Sequence, residues 1–397
     1  MSKAIIFIEN YSAGGSDMVA KLIAEEVSFD KVYLFVNKRN DFSVLLSTPL
    51  KPHIKLLKYS LITTSELGVF AKRFQRHKFL YTLLRFLNLV IRYPLIVFSI
   101  CYFYIKFKKI DANIFLSNNG GYPGGEYNRS ATISAILNKQ LDVFHLFHNI
   151  PTQSKVVFRV IENLYDKFLE KNSNFIGVAD SIVADMYITR NFTRDIAVIP
   201  NGLKEKKIKT YKTDDTIIFL NVGVCDDRKN QNFLLDVAFE LKKRGVENFS
   251  FTLMGAEGLD LGYKQQLIQR KSQLNLNDCV KIVAFEKDPF PAYYSSDVFM
   301  LSSRVESLPI VLLEAMSVGL PLISTITGDI NKQVIDGYNG FTIDQNDLNS
   351  YVDSVEFFIN NKLEVGNYGK NSFKLFQRTF TIDNMVKKYE NLFNIIH

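Results

Sequence analysis

A chain of 397 residues, 47% hydrophobic and 22% charged, is too long for one ordinary core and divides naturally into two soluble domains of roughly 200 residues each. Its three cysteines, Cys101, Cys225 and Cys279, lie far apart, which excludes a disulfide framework or a cysteine zinc site and fits a reducing compartment. The net charge of +7 is uneven: residues 51–110 hold twelve Lys and Arg against Glu66 alone, so that stretch is net +11 and the remainder net −4. A local excess of this kind marks a surface for an anionic partner, and the interleaved Phe, Tyr, Leu and Ile favour a membrane over nucleic acid.

The chain opens on the apolar run Ala4–Ile8, closed by Glu9, which is too short for a signal peptide and reads as the first buried strand of a cytoplasmic protein. Gly14 and Gly15 follow and open a helix over Ser16–Ala24, where free N–H groups and bare backbone suit a ligand. The three spaced glycines of a dinucleotide fingerprint are missing, which disfavours a dehydrogenase. A strand is expected at Lys31–Val36. In Lys72–Lys109 the longest uncharged run, Tyr93–Ile105, has thirteen residues and is interrupted by Pro94. A spanning helix needs about twenty, so this segment is expected to lie in the membrane interface rather than cross it.

Strands follow at Asn113–Ser117 and Asp142–His148, separated by a Gly-rich loop, Asn118–Glu126. That loop is either a mobile element shaping an acceptor site through Tyr122 and Glu126 or a plain connector. Helical period fills Val156–Lys171, with Val157, Val160, Ile161, Leu164, Tyr165 and Phe168 on one face. Strands Asn174–Val178 and Ile196–Ile199 end the first half. Pro200-Asn201-Gly202 and the lysine-rich run Lys204–Asp215 mark the break, giving domains 1–200 and 201–379, with a last helix near 380–397 expected to pack back on the first. Strands Thr216–Val222, Ser250–Met254, Val280–Phe285, Val298–Ser302 and Pro321–Thr325 alternate with helices in the second half. Near-continuous apolar strands alternating with helices predict an α/β fold of two Rossmann-like domains facing across a cleft, with ligands at the carboxyl ends of the strands.

The strongest chemical signal is Ser302–Met316. A strand ends, a loop carries Glu306, and a helix starts near Leu308-Pro309-Ile310 and carries Glu314. Carboxylates placed this way accept hydrogen bonds from sugar hydroxyls, and the free N–H groups of the helix start suit a phosphate. Leu312, Leu313, Ala315 and Met316 surround Glu314, so its charge requires a partner. Gly223 and the basic pair Arg228-Lys229 follow the first strand of the second half. His148 ends an apolar strand and enters a Pro-containing loop, whereas His145, three residues earlier, points to the opposite face and reads as structural.

Here the chain resembles the retaining glycosyltransferases with the Glu-x7-Glu motif (family 4, glycosyl transferases group 1) and the GT-B fold. Glu306 and Glu314-Ala315-Met316 carry the hallmark. Gly14-Gly15, Pro200-Asn201-Gly202, Gly223, Arg228-Lys229-Asn230, Gly255, Tyr294–Asp297, Gly319-Leu320-Pro321, Gly328 and Asp336–Gly340 extend it over nearly the whole chain. The resemblance implies that Glu306 holds the donor sugar, Glu314 the nucleotide ribose and Arg228-Lys229 the diphosphate, with His148 near the reacting carbon. It also implies retention without metal or cofactor, through same-face attack in which the leaving phosphate takes the acceptor proton. Two departures are Val224-Cys225, where an Arg is usual, and Ser307, where a glycine is common. The expected partners are a UDP- or GDP-sugar, a saccharide acceptor of lipid-linked type and an anionic membrane touched by residues 51–110. The setting would be bacterial surface polysaccharide assembly (O-antigen, capsule or exopolysaccharide) on the inner membrane face. The alternatives are a nucleotide-sugar epimerase of the same fold, which needs no basic apolar surface, or a non-catalytic sugar-nucleotide binding protein.

Overall fold

The structure is a computed structural model that describes residues 2–9, 14–40, 42–154, 158–211, 215–256 and 262–395. The chain forms two compact units, Met1–Pro200 with Val386–His397, and Asn201–Met385. In the first, β1 (Lys3–Ile8), β2 (Lys31–Asn37), β3 (Ile54–Tyr59), β4 (Ile114–Gly121), β5 (Asp142–Asn149), β6 (Asn174–Gly177) and β7 (Ala197–Val198) make one sheet in the order β3-β2-β1-β4-β5-β6-β7. Every pairing in it is parallel. Helices α1 (Gly15–Glu26), α2 (Thr64–Lys72), α3 (Lys78–Phe107), α4 (Glu126–Leu137), α5 (Arg159–Asn172) and α6 (Asp180–Arg190) connect the strands. The core on one face is aromatic: Phe7 lies 5.4 Å from Tyr59 and meets Phe103 edge-on at 5.0 Å.

The second unit repeats the plan. Strands β8 (Ile217–Val222), β9 (Phe249–Met254), β10 (Val280–Val283), β11 (Val298–Leu301), β12 (Leu322–Thr325) and β13 (Gly340–Ile343) are ordered β10-β9-β8-β11-β12-β13, all parallel. Helices α7 (Gln231–Lys243), α8 (Tyr263–Gln273), α9 (Phe290–Ser295), α10 (Ile310–Ser317), α11 (Ile330–Gln333), α12 (Leu348–Asn360) and α13 (Lys362–Thr379) accompany them. Helix α14 (Ile382–Leu392) begins among residues of the second unit and ends among those of the first. Just beyond it, Phe393 packs 4.7 Å from Phe144 and 5.8 Å from Phe29. In each sheet the strand order reverses once, between β1 and β4 and between β8 and β11. The crevice beyond those carboxyl ends is where open parallel sheets hold ligands.

The structure corrects four sequence expectations. First, α3 is one helix of 30 residues that runs through Pro94, so the proline does not interrupt it. By length and composition α3 is apolar enough to cross a membrane. One face of its C-terminal half is nevertheless core, with Ile96, Ser99, Phe103 and Phe107 buried. Second, the Gly-rich segment is not a loose loop, because β4 continues to Gly121 and α4 starts at Glu126. Third, a strand, β3, lies inside the basic segment. Fourth, the apolar face of α5 is turned outward: Val160, Ile161, Leu164 and Phe168 are exposed, while Glu162, Asp166 and Leu169 are buried. Val156 and Val157, from the expected helix, lie outside the described residues, as do 212–214 of the expected linker.

Candidate functional site

In the second unit the loop after β8 and the loop after β11 meet at the point where the strand order reverses. Asn230 adopts a left-handed conformation (φ 53°), which lets the chain turn into α7. The hydroxyl of Ser302 donates to the carbonyls of Lys229 and Asn230 at 3.0 and 3.1 Å and ties the two loops together. The stem of Lys229 passes over Gly223, where an added Cβ would lie 3.6 Å from its Cδ. Its Nζ donates to Glu306 Oε1 at 2.5 Å. Arg228 Nη1 lies 3.5 Å from the same oxygen and is half exposed. The side chains of Lys229 and Glu306 are only 12% and 8% exposed, so this is a nearly buried ion pair at the mouth of the crevice. The backbone of Glu306 is pinned from behind, since its N–H donates to Thr327 Oγ1 at 3.3 Å and Asp329 N–H donates to the Ser307 carbonyl at 2.9 Å. Gly328 makes this close approach: its φ is +54°, and a Cβ there would stand 2.2 Å from the Glu306 carbonyl oxygen. Arg228, Lys229 and Glu306 are therefore brought together.

Glu314 sits in α10 beside a different group. Its Oε2 accepts a 2.7 Å hydrogen bond from the Tyr293 hydroxyl. Burial pushes its carboxyl up to about 7, although Tyr293 and the charge of Lys206 pull the other way. Tyr293 is the partner that an acid in so apolar a helix requires. Sequence reading identified the need but not the residue, which precedes the quoted Tyr294–Asp297 motif. Pro309 stands at the N-cap of α10, and Gln333 Nε2 donates to its carbonyl at 3.1 Å. Leu308 is buried, and Ile310 is the first residue of the helix. Val224, where an Arg is usual in the resembling family, is exposed.

In the first unit, His148 is the penultimate residue of β5, and its Nε2 lies 2.9 Å from Asn118 Oδ1. Asn118 Nδ2 donates to the Ser16 carbonyl at 3.2 Å, so the amide oxygen faces the ring and His148 Nε2 is the donor. Burial pushes the imidazole down to about 3, so it is neutral, and its Nδ1 is left as an acceptor. His145 is fully buried on the opposite face against Asn119 and is structural. Gly14 is the N-cap of α1, with open space where a Cβ would be, and its N–H donates to Asp17 at 3.2 Å. Asn118 thus links the histidine to the glycine-led helix start, a role its loop position gave no sign of.

Two candidate acceptor residues are placed differently from expectation. Tyr122 is 1% exposed, with its hydroxyl 2.5 Å from Asp166, so it packs in the core and offers no surface to an acceptor. Glu126 is buried at the start of α4, bonded by the Thr64 hydroxyl and 3.5 Å from Arg92. Glu9 was missed. It follows β1 directly and accepts the N–H groups of Tyr127 and Asn128 at 2.9 and 2.7 Å. Burial, with Glu126 adding to it, pushes the Glu9 carboxyl up to about 8 against those two bonds.

Residues 204–375 match the family model described as glycosyl transferases group 1. The matched stretch lies within the second unit, which is similar to that family. The pinned Glu306, the pair it makes with Lys229, and Glu314 eight residues on all lie inside the matched stretch. The chain is 28% identical over 216 residues to the UDP-Gal:alpha-D-GlcNAc-diphosphoundecaprenol alpha-1,3-galactosyltransferase of Escherichia coli, covering 50% of this chain and 54% of that one. It is 26% identical over 267 residues to the O-antigen chain mannosyltransferase C of Escherichia coli, covering 63% and 68%. The first alignment spans about half the length of that relative. Anabaena HepE, solved in complex with UDP, superposes with a TM-score of 0.74 at 15% identity, covering 100% of both chains. The chain therefore has the two-unit α/β GT-B fold.

Proposed function

We propose that this chain transfers a sugar with retention, without a metal, from a UDP- or GDP-sugar to a lipid-linked saccharide in the assembly of a bacterial surface polysaccharide. The observation that carries the reading is the Lys229 ammonium resting on Glu306 in the crevice beyond β8 and β11. The nucleotide diphosphate draws Lys229, with Arg228 beside it, away from the carboxylate. Glu306 is then left to accept hydrogen bonds from the donor sugar. Glu314 takes the ribose hydroxyls, and the N–H groups at the start of α10 face phosphate. As the bond from the anomeric carbon to the β-phosphate oxygen breaks, charge grows on that oxygen, and fixed cations stabilise it. The acceptor oxygen bonds the same face of the carbon and its proton passes to the departing phosphate. His148, neutral and with Nδ1 free to accept, orients a sugar hydroxyl. The names of the relatives support the substrate class, since one uses UDP-Gal and a diphosphoundecaprenol-linked acceptor and another builds O-antigen chains.

The membrane part of the reading rests on α2 and α3. Phe79, Phe86, Val90, Val97, Phe98 and Ile105 of α3 are exposed. At about 100° per residue Phe98 and Ile105 fall opposite the buried Phe103 and Phe107, and the other four lie on the flank between. Because the Ile96, Ser99, Phe103 and Phe107 face belongs to the domain core, α3 lies on a bilayer rather than through it. Beside its C-terminal end, a recess of about 370 Å³ is floored by Tyr33, Phe35 and Leu57 and edged by Lys55, Lys58, Lys106 and Lys109. The test of the enzymatic reading is mass-spectrometric detection of product from a panel of nucleotide-sugars and polyprenyl-diphosphate saccharides. E306A should give no product, whereas product formed equally by wild type and E306A would place the donor site elsewhere.

A further inference from the structure

Helix α5 is amphipathic the wrong way round for a core helix. Two of its three acids, Glu162 and Asp166, are held inward, and the third, Glu170, is half-buried against the chain after α6. Glu162 pairs with Arg129 at 2.6 Å and with Arg190 at 3.0 Å. Asp166 pairs with Arg190 at 2.8 Å and accepts the Tyr122 hydroxyl. Glu170 accepts the N–H groups of Thr193 and Arg194. Burial acts to raise the Glu162 carboxyl, but the two guanidinium groups outweigh it and hold it below the usual range. What is exposed is mainly apolar and basic: Val160 (74% exposed), Leu164 (64%), Ile161 and Phe168, with Arg159, Lys167 and Lys171 beside them and the uncharged Asn163 among them. This face adjoins the region of α3, because Phe158, just before α5, packs 5.1 Å from Tyr93 of α3.

We propose that α5 is a second membrane-seated helix. Its Val160, Ile161, Leu164 and Phe168 enter the acyl boundary of an anionic bilayer, and Arg159, Lys167 and Lys171 meet the lipid phosphates. Three features select a lipid surface as the occupant: the cationic rim complements anionic headgroups, the apolar residues are long and unpartnered, and the face continues the exposed side of α3. The inference rests on the membrane reading above and extends it outside residues 51–110. The inward ion network serves that arrangement, because it takes the Glu162 and Asp166 carboxylates, which anionic lipid would repel, off the outer face.

The chain contains no tryptophan, so a single introduced Trp reports its own surroundings. Full-length Leu164→Trp should shift to the blue on vesicles of three parts phosphatidylglycerol to seven of phosphatidylcholine, and not on phosphatidylcholine alone. Val97→Trp, on α3, should do the same. K167Q/K171Q should weaken binding to the anionic vesicles about thirtyfold, from roughly 1 kcal/mol for each of the two charges. If Val97→Trp shifts and Leu164→Trp does not, the α5 proposal is overturned and the α3 reading stands. If neither shifts, the membrane reading itself fails, and α5 with it. A Leu164→Trp shift that grows with protein concentration without vesicles would assign the face to a second copy of this chain and overturn the proposal.

Discussion

Replacing Lys229 by Met removes one partner of the nearly buried pair with Glu306 while keeping most of the stem over Gly223. Breaking a buried ion pair from one side costs about 3–5 kcal/mol, because the remaining charge is left uncompensated. Arg228, 3.5 Å from the same oxygen but half exposed, offsets part of that, so K229M should lose about 3 kcal/mol in urea unfolding. Transfer should fall by about 10²–10³ in kcat, the usual cost of one preorganised group that stabilises developing charge. The double variant K229M/E306Q separates the two effects. With neither charge present, most of the stability should return, while transfer stays lost. Unfolding monitored by circular dichroism and initial rates of sugar transfer read the two quantities independently. A K229M enzyme that turns over within threefold of wild type would refute the role given to the ammonium.

Further outcomes follow from the same geometry. The Glu314 carboxyl, pushed up to about 7, is ionised above that pH and protonated below it. If the carboxylate takes the ribose hydroxyls, affinity for a nucleotide-sugar should fall about tenfold between pH 8 and pH 6. In E314Q, calorimetry should find weaker binding with no such dependence. Glu9, raised to about 8, binds its proton more tightly folded than unfolded, so its contribution to stability is full in acid and lost as pH rises through about 8. E9Q should therefore match the wild-type melting temperature near pH 5 and exceed it at pH 9, and the reverse order would contradict the assignment. Gly328→Ala, at φ +54° and with its Cβ driven against the Glu306 carbonyl, should cost at least about 1–2 kcal/mol from the left-handed backbone alone. It should also weaken donor binding, measurable in one thermal-shift titration.

The strands of both sheets were legible because parallel sheets covered on both faces use continuous apolar runs, such as Ile5–Ile8 and Phe299–Leu301. The misses have physical causes. β3 is an edge strand whose Lys55 and Lys58 disguise it within a basic segment, and β13 is only four residues long. Helical period placed Val160, Ile161, Leu164 and Phe168 on one face of α5. Period cannot say which way a face turns, and here Arg129 and Arg190, 33 and 28 residues from Glu162, decide it by holding the acids inside. At the candidate donor site the chemistry-bearing residues were readable and their contacts were not. Lys229 and Glu306 were each singled out, yet they are 77 positions apart and nothing local pairs them. Glu314 declared its need for a partner, but Tyr293 lies 21 residues earlier on another helix. Tyr122 read as a loop aromatic because the Asp166–Arg190 network that draws it into the core comes from two later helices.

The central claim is that the crevice beyond β8 and β11 binds the diphosphate of a nucleotide-sugar through Lys229. It is tested most directly by calorimetric titration of UDP, GDP and their sugars into the wild-type chain and K229M in parallel. One nucleotide series should bind wild type, and K229M should bind it at least tenfold more weakly. Equal affinity in the two proteins, or no binding by any of these nucleotides, would contradict it.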